Sequence, residues 1–258
     1  MDPSQIAGAL LLIALGALIA VFGGIAWTGR RLALRPLAGF EALRGQQSRA
    51  IESGQSLHLS LGTSGIGGGN TATTLAGLAI LESLADEAAA TDTPPTVTVA
   101  DPTALAMAQD VLRRAYARQG NAAGYDPRAV RYVAVSPLPY AAATGDILSV
   151  EETSANVMAG VFGPEVAFIA EEGSKQAVLQ AAGAADVTPL AVLYPSVNHL
   201  MIGEEMFAAS GYMDNLPVHT GSLLAQDVIR WVLVGLLFVA SAGKLIVSLQ
   251  SLLRGVAP

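Results

Sequence analysis

Apolar residues run without a break at both ends of this chain and in short periodic bursts between them. The first run, Ile6 to Trp27, holds 22 residues and no charge. As a helix rising about 1.5 Å per residue it matches a hydrocarbon core of roughly 30 Å. The last run extends from about Trp231 to Leu253 and is interrupted by Lys244, about two thirds of the way across. A lysine there extends its ammonium toward the outer headgroups, a lipid phosphate or a polar group on a packed helix. Between the runs, Pro36 to Gly54 reads as an amphipathic helix with Phe40, Leu43 and Ile51 on its apolar side and Gly54 as its stop. Its place after the first run suggests a collar at a bilayer surface.

The middle of the chain changes period. Ser56 to Leu61 (SLHLSL) alternates as a strand does, and a glycine loop and an amphipathic helix follow it. Thr96 to Ala100 reads as a second strand, ending at Asp101-Pro102 before a helix from about Thr103 to Gly120 that Asp101 or Thr103 can cap. The same reading gives strands at Ala129 to Val135, Val166 to Ala170 and Pro189 to Leu193. Helices are expected at Val150 to Val161, Ser174 to Ala182 and Glu204 to Tyr212. Five strands alternating with helices predict an α/β fold, a Rossmann-like mainly parallel sheet flanked by helices, here bracketed by two transmembrane helices. The implied organisation is an N-terminal transmembrane helix (1–29), a basic juxtamembrane segment (30–55), one α/β domain (56–222) and a C-terminal transmembrane helix with a tail (223–258).

Charge gives these segments an orientation. Arg30, Arg31, Arg35, Arg44 and Arg49 follow the first run and no Lys or Arg precedes it, which puts the α/β domain in the cytoplasm and both termini outside. Met1 to Gln5 lack the basic start of a cleaved signal, so the first run is read as a retained anchor at the cell membrane. Arg30, Arg31, Arg35, Arg230, Trp231 and Lys244 are the expected membrane-interface residues. A net charge of −7 disfavours nucleic acid as a partner, and the absence of cysteine removes disulfides, thiolate catalysis and Cys-ligated metals.

The glycine loop is the most suggestive chemical element. Gly67, Gly69 and Ala72 satisfy G-x-G-x-x-A after a strand and at a helix start, where backbone N–H groups favour an anion such as a phosphate. Gly65, Gly67, Gly68, Gly69, Asn70, Thr71 and Asp101 are the ligand-binding candidates, although Asp101 follows the loop by about 30 residues rather than the roughly 20 expected of a ribose partner. Consecutive glycines also suit a purely structural turn, and no Gly-Lys-Ser/Thr follows as a phosphate-binding P-loop requires. Ligands of such a sheet bind beyond the carboxyl ends of its strands, an edge expected to gather Gly62 to Asn70, Asp101, Ser136 to Tyr140, Glu171 to Gly173 and Tyr194 to His199. His58, His199 and His219 lack the spacing of metal ligands. His199 with Glu204 and Glu205 is a conceivable cation site, but two glutamates at a helix start also complement its dipole. Neither a catalytic constellation nor a required cofactor emerges.

The segments SLHLSLGTSGIGGGNTATTLAGLAILESLA, TVTVADPTALAMAQDVLRRAY, SANVMAGVFGPEVAFIAEEG and IGEEMFAASGYM, with a span soon after, resemble an uncharacterised bacterial family of membrane-anchored proteins with a domain of unknown function. That resemblance implies the architecture and no activity. The expected role is a non-enzymatic assembly or scaffold subunit whose α/β domain packs with copies of itself or with membrane-complex subunits at the lipid bilayer. Small residues in both runs, including Gly16, Gly23, Gly24, Gly235 and Gly243, permit close helix packing. The alternative is a module that senses a nucleotide or anion at Gly65 to Asn70. A cofactor-using enzyme is a third reading and needs Asp101, Glu171 or His199 to converge on the loop.

Overall fold

A computed structural model describes residues 3–28, 34–91, 93–213 and 217–255. The chain divides into two compact units, one of residues 1–34 with 215–258 and one of residues 35–214.

The second unit is built on six parallel strands in the order β3-β2-β1-β4-β5-β6: β1 Ser56–Gly62, β2 Thr96–Val99, β3 Val130–Tyr132, β4 Thr153–Val161, β5 Leu179–Ala184 and β6 His199–Ile202. This is the doubly wound order, in which the winding reverses between β1 and β4. On one face lie α2 (Ala38–Ser53), α3 (Thr71–Thr91) and α4 (Pro102–Arg118); on the other lie α5 (Pro137–Val150), α6 (Val166–Lys175) and α7 (Val187–Leu193). A short helix, α8 (Ala209–Met213), ends the unit.

The helices form for local reasons. The Asp101 carboxylate accepts from the amides of Thr103 and Ala104 while Pro102 occupies the first turn, and the helix buries Ala104, Ala108, Val111, Leu112 and Ala115 at helical spacing. Helix α2 ends at Gly54, whose φ of +68° is the left-handed stop that glycine allows. It forms a layer of the fold: Phe40, Leu43, Gln46 and Ala50 are buried, and the helix packs on the sheet.

After β3 the sequence reading slips by one element. Val150 to Val161, expected helical, contains β4, and Ser174 to Ala182, also expected helical, contains most of β5. Val166 to Ala170 and Pro189 to Leu193, expected as strands, belong to α6 and α7. Strand β6 was not expected, and Glu204 to Tyr212 forms a 3-10 turn (Gly203–Ala208) leading into α8. The cause is burial. Strand β4 lies inside the sheet and is buried at most positions on both faces, so it shows no alternation. Helix α6 buries Val166, Ile169, Ala170 and Gly173, a helical stripe too short to separate from an apolar strand by periodicity alone.

The two sheet faces differ. Leu59, Leu61, Val97, Val99, Val157 and Ala159 are buried on one of them. On the other, Thr96, His58, Asn156 and Gln180 stand in register across β2, β1, β4 and β5, and the last three bond in sequence. His58 Nδ1 lies 2.8 Å from Asn156 Oδ1, and Asn156 Nδ2 donates to Gln180 Oε1 over 3.1 Å. His58 Nε2 lies 3.1 Å from Thr98 Oγ1, which continues to the Tyr140 hydroxyl at 3.1 Å. Glu151, at the end of α5, accepts from Thr96 Oγ1 and pairs with Arg131. A buried polar row of this kind is tolerated because its members partner one another.

The first unit consists of α1 (Pro3–Trp27) and α9 (Pro217–Gly255), which pack on each other. Two glycines let them approach closely: a Cβ added to Gly221 would lie 2.5 Å from the Gly23 nitrogen. Among the described residues one helical stretch, Val218–Leu245, is long and apolar enough to cross a membrane; the apolar stretch Leu12–Trp27 of α1 is shorter. The C-terminal stretch therefore starts before Trp231 and takes in Asp227 and Arg230, which form an ion pair at 3.4 Å. From Trp231 to Phe238 the large apolar side chains are exposed on every side of the helix, with Trp231 at 75% and Phe238 at 76%.

Candidate functional site at the switch point of the sheet

Where the winding reverses, β1 and β4 carry their chains toward opposite faces, and the crevice between their carboxyl ends is where an open sheet of this type binds ligands. Backbones crowd together there. A Cβ on Gly62 would lie 2.2 Å from the Val161 carbonyl oxygen, one on Gly160 would lie 2.0 Å from that of Leu61, and one on Gly77 of α3 would lie 2.3 Å from that of Ala159. Gly62 also has a φ of +79°, open to glycine and strained for other residues. These glycines bring β1, β4 and α3 into contact, the packing role that the third glycine of a dinucleotide fingerprint performs.

The floor of the crevice is pinned from below. The buried Tyr140 hydroxyl lies 2.6 Å from Ser60 Oγ, donates to the Thr98 carbonyl at 3.0 Å and accepts from the Gly62 amide at 3.3 Å. Burial raises the Tyr140 pKa, and its hydrogen bonds oppose that shift.

The loop from Thr63 to Asn70 then crosses the carboxyl ends of β1 and β2. Thr63 donates from its amide and its hydroxyl to the Val161 carbonyl, at 2.9 and 3.2 Å. The Ile66 amide donates to Thr103 Oγ1 at 2.8 Å, and those of Gly67 and Gly68 donate to Thr71 Oγ1 at 3.0 and 3.1 Å. Thr71 Oγ1 in turn donates to the Gly68 carbonyl at 2.7 Å. Three of the amides that would cradle an anion are thus occupied by the chain's own hydroxyls. Gly67, Gly68, Gly69 and Asn70 are exposed, and Gly65 lies against Asp101, so close that a Cβ would stand 1.9 Å from Asp101 Oδ1.

Asp101 therefore does reach the loop despite its sequence distance, because it follows β2, the neighbour of β1. Its Oδ1 accepts from the Thr103 amide at 2.7 Å, from the Thr103 hydroxyl and from the Ala104 amide at 3.3 Å. The Thr103 hydroxyl, with those two amides, holds the Asp101 carboxyl below the usual carboxylate range. Chemically this is a helix cap with a negative charge beside Gly65, which opposes an anion on that side of the loop.

The other expected members of the site separate. Glu171 and Glu172 lie on α6 rather than at a strand end, and pair with Lys175 at 3.2 and 3.4 Å. Tyr194 to His199 leads into β6 and so lies at the opposite, amino end of the strands. Glu205 pairs with Arg35 at 2.7 Å and accepts from the Ile202 amide, which leaves it committed within the fold. The described residues contain no group of three His, Asp or Glu side chains placed to hold a metal ion. In place of Glu171 to Gly173, the edge receives Phe162 to Glu165 after β4 and Asp186 after β5. Sequence reasoning missed them because it placed those strands elsewhere; the Gly163-Pro164 turn was the available signal.

Of the expected interface residues, Arg30 and Arg31 lie outside the described residues. Arg35 is tied to Glu205, Arg230 to Asp227, and Trp231 and Lys244 are exposed on α9.

The chain belongs to the family described as a domain of unknown function (DUF6754), whose profile matches residues 1–252. The resemblance to an uncharacterised family is borne out over nearly the whole chain. No curated protein and no solved structure matches it.

Proposed function

We propose that this protein is a membrane-anchored, non-enzymatic scaffold subunit whose α/β unit assembles with copies of itself at the membrane surface. The observation that carries the reading is α9: from Trp231 to Phe238 it presents large apolar side chains on all sides, each of them exposed, a surface that only lipid or another helix covers favourably. In this reading α1 is the second span, the arginines after it keep the α/β unit in the cytoplasm, and both termini lie outside. Single-cysteine accessibility in a chain that has no native cysteine tests the topology: labels at Gln5 should react only from outside and labels at Arg113 only from inside. Of the residues the enzyme reading calls for at the loop, Asp101 is there as a helix cap, whereas Glu171 lies on α6 and His199 opens β6.

A second reading, a nucleotide- or anion-sensing module, draws on one observation: the exposed Gly67 to Asn70 segment borders the crevice that such sheets use for ligands. It requires the Thr71 and Thr103 hydroxyls to release their amides. A nucleotide panel should then give saturable thermal stabilisation that Gly69→Val abolishes. Absence of any shift, or a shift that survives the substitution, would count against it.

A further inference from the structure

Residues at the two ends of the α/β unit, which begins at Arg35 and closes at Asp214, are bonded to one another. The Tyr212 hydroxyl donates to the Arg35 carbonyl over 2.6 Å, and the Arg35 guanidinium pairs with Glu205 at 2.7 Å. The Arg44 guanidinium donates to the carbonyls of Tyr212 and Met213, at 3.0 Å to the latter, and so caps the C-terminus of α8. The rings of Phe40 and Tyr212 stack with centroids 5.4 Å apart and 14° between planes. Beside them Gly39 packs on Met201, where an added Cβ would lie 2.7 Å from Cγ. These contacts join residues about 170 apart in sequence, and none of them belongs to the sheet ladder or to the switch-point crevice.

We infer that Arg35, Phe40, Arg44, Glu205 and Tyr212 form a clasp that delivers the two membrane-directed helices as a pair. The connections are short. Trp27 to Arg35 is 35 − 27 = 8 residues and Met213 to Pro217 is 217 − 213 = 4, which reach at most roughly 28 and 14 Å. With the clasp closed, the end of α1 and the start of α9 are confined near one another before either helix packs, and the Gly23–Gly221 approach follows at a reduced entropic cost. Arg35 and Arg44, both counted among the arginines that orient the chain, also act in the clasp, through a carboxylate and two helix carbonyls. The inference does not depend on self-assembly.

The test uses the full chain in detergent micelles with the only two cysteines placed at Trp27→Cys and Val218→Cys, both exposed positions at the facing helix ends. Intramolecular cross-linking by a short bismaleimide is followed in the monomer band. The expected result is rapid cross-linking in the otherwise unchanged chain and a rate lower by about threefold or more in Arg44→Ala. Tyr212→Phe, which keeps the ring stack and loses one hydrogen bond, should give a smaller drop in the same direction, and it serves as the readout if Arg44→Ala fails to fold. Equal rates in the parent and in the folded variants would overturn the clasp and show that α1 and α9 pair unaided.

Discussion

In the α/β unit, His58, Ser60, Thr98, Tyr140, Asn156 and Gln180 are buried and linked in one hydrogen-bonded chain, and the exposed glycine loop has several of its amides filled by threonine hydroxyls. In the helical unit the relation is inverted: Trp231, Leu236, Leu237, Phe238 and Val239 are more than half exposed although nothing in their chemistry suits water. A chain folded for water buries apolar groups and leaves charged ones outside. The α/β unit satisfies that rule within itself, whereas the helical unit leaves large apolar side chains of α9 uncovered. The contrast shifts attention from the loop, which looked chemical, to α9, which is incomplete alone.

The largest expected effect comes from testing packing in the two units with the same substitution. Gly160→Val should cost more than about 3 kcal/mol, because its Cβ would stand 2.0 Å from a β1 carbonyl that cannot move freely. Gly235→Val, with nothing within 4 Å, should change unfolding by less than about 0.5 kcal/mol. Circular dichroism of the full chain during chemical denaturation reads both. A costly Gly235→Val would mean that α9 packs on protein there, and the comparison would fail.

Acid should act on the α/β unit next. Burial lowers the His58 pKa from 6.5 to about 4, against the opposing influence of the Asn156 hydrogen bond and of Glu151, with Arg131 adding slightly to the lowering. The unfolded chain therefore takes up the proton first as pH falls, so stability is full above about pH 6.5 and declines until about pH 4. A pKa difference of about 2.5 corresponds to roughly 3 kcal/mol. His58→Gln should flatten this dependence, and an unchanged pH profile would remove His58 as its source.

Smaller effects probe the crevice. Tyr140→Phe leaves Ser60 Oγ and the Gly62 amide without their buried partner and should cost about 1–3 kcal/mol. Asp101→Ala removes the α4 cap and should cost about 1 kcal/mol. A stability gain in Asp101→Ala would instead mark that carboxylate as strained and held for a ligand.

The sequence made the first half of the sheet legible because its signals are local. SLHLSL alternates, Asp101-Pro102 announces a capped helix, and Gly54 ends α2. The second half was misread because β4 and β5 are buried on both faces and rich in alanine and glycine, a composition shared with helices. Five strands became six, yet the parallel layer survived the error because each misplaced strand was exchanged for a neighbouring helix. The loop's position at the switch point was legible; the occupation of its Ile66 amide by Thr103 was not, since a hydroxyl 37 residues away leaves no periodic trace. The His58–Asn156–Gln180 row was equally hidden, for register across three strands is a property of the sheet alone.

The scaffold reading is tested most directly by chemical cross-linking in intact native membranes followed by extraction and sizing of the full chain. The account predicts discrete species at two or more times the 26.4 kDa chain mass, retained after gentle solubilisation and reconstitution in nanodiscs. A single species of one chain under every condition would contradict it.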